Sequence, residues 1–233
     1  GVAYGSQLTK VTDGAVYFDG TGDYLSLLSS SDFAFGTGAY TLEFWVNSGR
    51  ASGENGLFGT FTSSDYGIGI WHNGSGLYFE ERKDSYDGAN PRIHYTTFDW
   101  GSWNHVAMSR DSTSGTLRAF VNGVEVGTAT SNLRDIVATS ETVIGDNAAA
   151  SNKALAHISN LRIVKGTALY TANFTPPTEP LTDVTNTKLL CCNSSISATA
   201  ATVTPGTITA NGNASATRNE LTGSMVLAVP GIT

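Results

Sequence analysis

Apolar and polar residues alternate along much of the chain in short runs bounded by Gly, Asn, Asp and Ser, which is the pattern of strands with one buried face. The run AYTLEFWVN at 39–47 places Tyr40, Leu42, Phe44 and Val46 on one face and Thr41, Glu43 and Trp45 on the other. Further strands are predicted over 15–18, 24–27, 56–62, 67–72, 76–81, 103–111, 116–121, 142–145, 154–165 and 187–192. Asn122-Gly123 sits between two alternating runs, where an Asn-Gly pair signals a two-residue hairpin with positive φ at both positions. In the long run at 154–165, ALAHISNLRIVK, simple alternation puts Ile158 and Val164 on one side and Leu161 and Ile163 on the other. No window keeps apolar residues at i, i+3, i+4 and i+7 for three turns, and only one helical turn near 167–173 is compatible with the pattern. Many short strands with almost no helix predict an all-β sandwich or barrel. Phe18, Leu42, Phe44, Val106, Phe120, Ile158 and Leu161 are its expected core.

The chain has 233 residues, a length that one all-β domain can fill. After Cys192 the composition shifts: 193–220 is almost entirely Ser, Thr, Ala, Gly and Asn, with Ile196, Val203 and Ile208 its only large aliphatics. So little apolar surface cannot offset ordering entropy, so this stretch is expected to be a linker, a disordered tail or an arm that orders only by lying extended along a neighbouring subunit or another protein. Met225, Val226, Leu227, Val229 and Ile232 would then be a contact patch. The expected organisation is an N-terminal arm at 1–14, a sandwich at 15–192 and a C-terminal extension at 193–233.

Only 14% of residues are charged and the net charge is −7, a balance that disfavours a phosphate backbone as ligand. No apolar run approaches the roughly 18 residues of a membrane span. The chain opens on Gly1 without a basic-then-apolar leader, which reads as a processed, trimmed or excised start. The two cysteines, Cys191 and Cys192, are adjacent. In a strand they point to opposite faces, and a ring closed between them is strained, so two reduced thiols are expected. The four Asn-x-Ser/Thr sequons, at Asn73, Asn173, Asn193 and Asn213, carry no weight in so Ser/Thr-rich a chain.

Catalytic motifs are missing: there is no G-x-S-x-G elbow, no phosphate loop and no H-E-x-x-H. Glu43, Glu125 and Glu141 are isolated on their strands, and adjacent Glu80 and Glu81 face opposite ways, which disfavours a paired-carboxylate glycosidase. Asp19, Thr21 and Asp23 resemble the opening of a calcium loop, but Tyr24 and Ser30 stand where an EF-hand needs Gly and Glu. That stretch reads as a turn capped by its own Asp side chains. Asp146 and Asn147 follow a short strand in the same manner. No cofactor is expected; calcium is the one ion with candidate ligands, at Asp23, Asp146 and Asn147. His72, His94, His105 and His157 lack metal-ligand spacing. Aromatic faces suit the apolar patches of sugars, and Trp71, Tyr86 and Trp100 are the candidate glycan-binding residues. Tyr86 is central to the most polar stretch, 81–95.

In order, the segments VYFDGTGDYL (16–25), DFAFGTGAYTLEFWV (32–46), WNHVAMSRDSTSGTLRAFVNGVEVGTAT (103–130), ETVIGDN (141–147) and HISNLRIVKGTALYTANFTPPTEPL (157–181) resemble the laminin-G-like branch of the concanavalin A-like lectin/glucanase jelly rolls. The resemblance covers roughly 15–192. The NLRIVKGTALYTANFTPPTEPLT run, the TKLLCC strand and the VTPGTITANG tail are similar to virion proteins of marine and cyanobacterial phages. The resemblance implies a two-sheet antiparallel jelly roll used for binding or assembly, with glycans, proteins or calcium held at rim loops. It implies a non-enzymatic tail-fibre or capsid-surface protein, assembled in the host cytoplasm and displayed on the virion. Its partners would be other virion proteins, copies of itself or a host-surface glycan, not nucleic acid or a membrane. The alternative is a carbohydrate-binding module of a secreted bacterial hydrolase.

Overall fold

The computed structural model describes residues 14–49, 53–61, 66–82, 90–131, 133–137, 140–147 and 152–218. Sixteen strands are found among them: β1 Gly14–Asp19, β2 Tyr24–Leu27, β3 Tyr40–Ser48, β4 Asn55–Gly59, β5 Gly67–Asn73, β6 Gly76–Arg82, β7 Arg92–Tyr95, β8 Trp103–Asp111, β9 Thr116–Val121, β10 Val124–Thr130, β11 Thr142–Ile144, β12 Leu155–Lys165, β13 Thr187–Cys191, β14 Ala201–Val203, β15 Thr209–Asn211 and β16 Ser215–Arg218. The larger sheet runs β10-β9-β8-β3-β12-β1-β16, with β13 and β14 continuing from the second half of β12. The smaller sheet runs β15-β2-β11-β4-β5-β6-β7. All the strand pairs are antiparallel, and the two sheets make the expected all-β jelly-roll sandwich. The 167–173 stretch holds no helical turn, and the only helical geometry among described residues is a short 3-10 turn at Ser31–Phe33.

Burial follows the alternation. Phe18, Leu42, Phe44, Val106, Ile158 and Leu161 are fully buried in the core between the sheets. Phe120 is equally buried but lies on the outside of the larger sheet, against Tyr170 and Phe174. At the β9–β10 turn, Asn122 and Gly123 have φ of 51° and 77°, as the Asn-Gly pair requires.

Two departures from simple alternation come from left-handed residues. The pairing of β12 with β3 slips between Ser159 and Arg162, where Asn160 has φ 57°. This bulge inserts one residue and reverses the parity, so Ile158, Leu161 and Ile163 all enter the core. Cys192 has φ 61°, which turns its side chain back beside that of its neighbour. The two free thiols therefore meet within one core, with Sγ atoms 3.6 Å apart, instead of facing opposite ways.

The C-terminal extension corrects a further expectation. Residues 193–218 are ordered against their own chain: β14 pairs with β13, β15 with the β2 edge of the smaller sheet, and β16 with the β1 edge of the larger one. The extension thus closes one flank of both sheets of its own chain. Its backbone satisfies open sheet edges, which compensates for having Ile208 as its main buried aliphatic. The apolar stretch at 225–232 and the N-terminal arm before Gly14 lie outside the described residues.

Two buried charge clusters tie loops to the sheets. Between the sheets, fully buried Arg110 donates to Glu81 Oε1 (3.1 Å) and to the carbonyls of Gly36 (2.6 Å) and Gly38 (2.7 Å). Tyr40 and Ser131 hydroxyls also donate to Glu81, yet burial outweighs these contacts and raises its carboxyl above the usual range. On the outside of the larger sheet, the 166–182 segment is laid down as a strap. Beneath it, Glu43 accepts from Arg162 Nη2 (2.6 Å) and from the Tyr170 hydroxyl (2.7 Å), with His105 Nε2 at 3.2 Å. Burial alone would push the Glu43 carboxyl up; His105, Arg162 and Tyr170 overcome it and hold the group below its ordinary value.

Candidate functional site

The outer face of the smaller sheet carries the most organised set of polar and aromatic side chains. Register dictates it. Trp71 on β5 pairs with Tyr78 on β6, which pairs with His94 on β7, so the three rings stand in one row across the sheet. Trp71 and Tyr78 stack at 4.0 Å and 8°, and Tyr78 and His94 at 4.1 Å and 3°. In the next row, Glu80 pairs with Arg92, and Arg82 follows on the same face. Glu80 is fully buried and accepts from Trp71 Nε1 (2.7 Å) and Arg82 Nη1 (3.1 Å) on one oxygen and from Arg92 Nε (2.7 Å) on the other. The Arg92 guanidinium lies 5.6 Å from the Trp71 ring centre and 5.7 Å from that of Tyr78.

Glycines let a further ring lie flat on this face. Gly67 and Gly69 lie under the buried Phe61: a Cβ on Gly69 would fall 2.7 Å from the Phe61 ring, and one on Gly67 2.4 Å from its Cα. Phe61 is capped in turn by the Arg82 guanidinium at 4.8 Å. The ladder opens towards β7: Trp71 is 4% exposed, Tyr78 half-buried and His94 exposed. At its rim, Ser75 Oγ donates to Asn73 Oδ1 (2.6 Å) and lies 3.0 Å from the Tyr78 hydroxyl.

The candidate glycan-binding residues from the sequence are not brought together. Trp71 is on a strand, facing out, whereas adjacent His72 faces the interior and Trp100 packs on His72 (4.7 Å) and Phe98 (4.8 Å). Trp71 and Trp100 therefore flank opposite faces of β5. Tyr86 lies outside the described residues. Tyr78, His94 and Arg92 were not apparent as site residues because each belongs to a short run whose partner strand is unknown without the fold. The one available signal was the parity of GLYFEER, which puts Tyr78, Glu80 and Arg82 on one face.

The candidate calcium ligands are engaged with protein groups. Asp23 is fully buried and accepts from the backbone N–H of Asp19 (3.1 Å) and of Asn213 (2.7 Å), which pins the β15–β16 turn to the β1–β2 turn. Asp146 accepts from the Asn147 N–H (2.8 Å) and pairs with Lys153, whose ammonium sits 3.9 Å from the Tyr24 ring centre. A calcium cage needs six to eight oxygens turned to one point. Among the described residues no three His, Cys, Asp or Glu gather in one place. Nor is there, among them, a helix long and apolar enough to cross a membrane.

An antiparallel two-sheet jelly roll with a polar, aromatic outer sheet face defines a lectin-like β-sandwich. The sequence matches the family model described as Concanavalin A-like lectin/glucanases superfamily over residues 19–170, and the chain belongs to that superfamily. No curated protein matches it. Among solved structures it is similar to a putative carbohydrate binding protein from Bacteroides ovatus, with a TM-score of 0.63 at 15% identity over 90% of this chain. The match covers 60% of that protein's own length. It is also similar to the CBM40 domain of the Ruminococcus gnavus IT-sialidase bound to α2,3 sialyllactose, with a TM-score of 0.52 at 15% identity, covering 71% of this chain and 95% of the other. At these identities the likeness is one of fold.

Proposed function

We propose that the chain is a non-enzymatic, lectin-like binding module on the surface of a phage particle, a tail-fibre or capsid-surface component that engages a host-surface glycan. The observation that carries the binding role is the preassembled ladder on the outer face of the smaller sheet, open at Tyr78 and His94. Rigid aromatic and guanidinium groups held before a ligand arrives lose little freedom on binding. The two similar carbohydrate-binding structures support the same role.

The dispersal of carboxylates supports a module without catalysis. Glycoside hydrolysis uses two carboxyls roughly 5–10 Å apart across one substrate. The buried glutamates here face three different ways: Glu43 under the strap, Glu80 on the outside of the smaller sheet and Glu81 between the sheets. Placement on a virion rests on the resemblance of residues 160–212 to phage virion proteins. A second reading, a binding module of a secreted hydrolase, is favoured by the likeness to the Ruminococcus sialidase domain.

A glycan array with the full chain tests the binding role: retention is expected and should be lost in Tyr78→Ala/His94→Ala. Retention unaffected by the double substitution would move the site elsewhere, and reducing-sugar release from a bound glycan would overturn the non-enzymatic reading. Mass spectrometry of intact source particles separates the two settings, since a virion component is present in symmetric copy number and a hydrolase module is absent.

A further inference from the structure

We propose a second carbohydrate site, for an uncharged sugar, on the outer face of the larger sheet, where Tyr17, His157, Asn47 and Trp103 form one row. The inference goes beyond the ladder reading and does not depend on it. Tyr17 on β1 pairs with His157 on β12, His157 with Asn47 on β3, and Asn47 with Trp103 on β8. Directly opposed residues share a face. Their chain neighbours Val16, Phe18, Val46 and Ile158 enter the core, so the four residues of the row point outward. The strap covers neighbouring rows of this face, over Glu43, Ser109 and Phe120. The row itself is half-buried at each of its four positions.

Unlike the ladder, this row does not satisfy itself. The Tyr17 and His157 rings are tilted by 35° at 4.7 Å, and Trp103 meets His157 edge to face at 6.3 Å and 61°. No ring is stacked on Trp103 among the described residues. The Tyr17 hydroxyl, the His157 ring nitrogens, the Asn47 amide and Trp103 Nε1 have no hydrogen-bond partner among the described residues. Burial lowers the His157 pKa, which keeps the imidazole neutral at neutral pH, with one nitrogen donating and the other accepting. Asn47 and Tyr17 likewise both donate and accept. That set complements sugar hydroxyls, and Trp103 adds an aromatic surface for the apolar C–H side of the ring. No charged residue stands in the row. Asp19, two residues along β1 on the same face, accepts from the Thr21 N–H at 2.6 Å, and its charge disfavours an acidic ligand. The row also crosses the middle of the sheet, where β1, β12, β3 and β8 are each paired on both sides, so no edge is open to an added peptide strand.

The site is read at equilibrium, because uncharged contacts of this kind give affinities of about millimolar order, which do not survive the washing of an array. The test is native electrophoresis of the full chain in gels containing dextran, β-glucan or galactomannan, all neutral. Tyr78→Ala/His94→Ala, which removes the open end of the ladder, is the background. This protein should be retarded by at least one of the three polymers. Adding Trp103→Ala should abolish the retardation. Adding Asn47→Ala should weaken it about two- to tenfold, the usual loss of one neutral hydrogen bond, and leave the unfolding transition unchanged, since the amide has no partner among the described residues. Free migration in all three gels, or retardation that either added substitution leaves unchanged, overturns this inference and leaves the ladder reading to the array. An array that retains nothing while the Tyr78→Ala/His94→Ala protein is retarded overturns the ladder reading alone.

Discussion

His72 makes a sharp test of how the interior is built, because its titration reports on burial directly. The imidazole is fully buried at the end of β5, with Nε2 2.7 Å from Ser48 Oγ and one ring face against Trp100. Burial disfavours the imidazolium and lowers the pKa from 6.5 to about 4. The unfolded chain then takes up the proton first as pH falls, so stability is present above the unfolded value and is lost between it and the folded one. At about 1.4 kcal/mol per unit, the full difference is about 3.5 kcal/mol, most of it lost between about pH 7.5 and 4.5. The assay is denaturant unfolding at those two pH values for the wild type and for His72→Gln, which keeps a polar partner for Ser48 but does not titrate there. The variant should lose about 2.5 kcal/mol less than the wild type across the interval. Other groups, including His157, lowered by its own burial, are present in both proteins and cancel. An equal pH dependence in the two proteins would refute a neutral, buried His72.

Two further expectations concern the fold. Phe44→Ala, at the centre of β3, should destabilise by about 3–5 kcal/mol in a denaturant titration, since a fully buried ring leaves a cavity between two packed sheets. Asp23→Ala should cost about 2–3 kcal/mol by removing a buried carboxylate that accepts from two backbone amides, and it should speed proteolysis selectively in 193–218; a cleavage pattern identical to wild type would show that Asp23 does not anchor the extension.

Local pattern determined much of this protein. Period-two alternation set the strands and their buried faces from β1 to β13 except β7, which lies in the polar 81–95 stretch, because a side chain's face in an extended strand depends only on its parity. The Asn122-Gly123 turn was legible for the same kind of reason, two neighbouring residues needing positive φ. Asn160 and Cys192 broke the rule: a left-handed residue inside or just after a strand reverses parity, and nothing in ALAHISNLRIVK or TKLLCC announces it. The 193–218 segment was misjudged because its stability comes from backbone pairing with edges of β1, β2 and β13, and composition counts only side-chain burial. The candidate site was the least legible part. Trp71 could be singled out as an aromatic, but whether its ring faces a ligand, the core or another ring depends on which strand lies beside β5. Only the tertiary pairing of β5, β6 and β7 brings Trp71, Tyr78 and His94 from separate runs into one stack, leaves Tyr78 and His94 open at its rim and sets Arg82 and Arg92 beside buried Glu80.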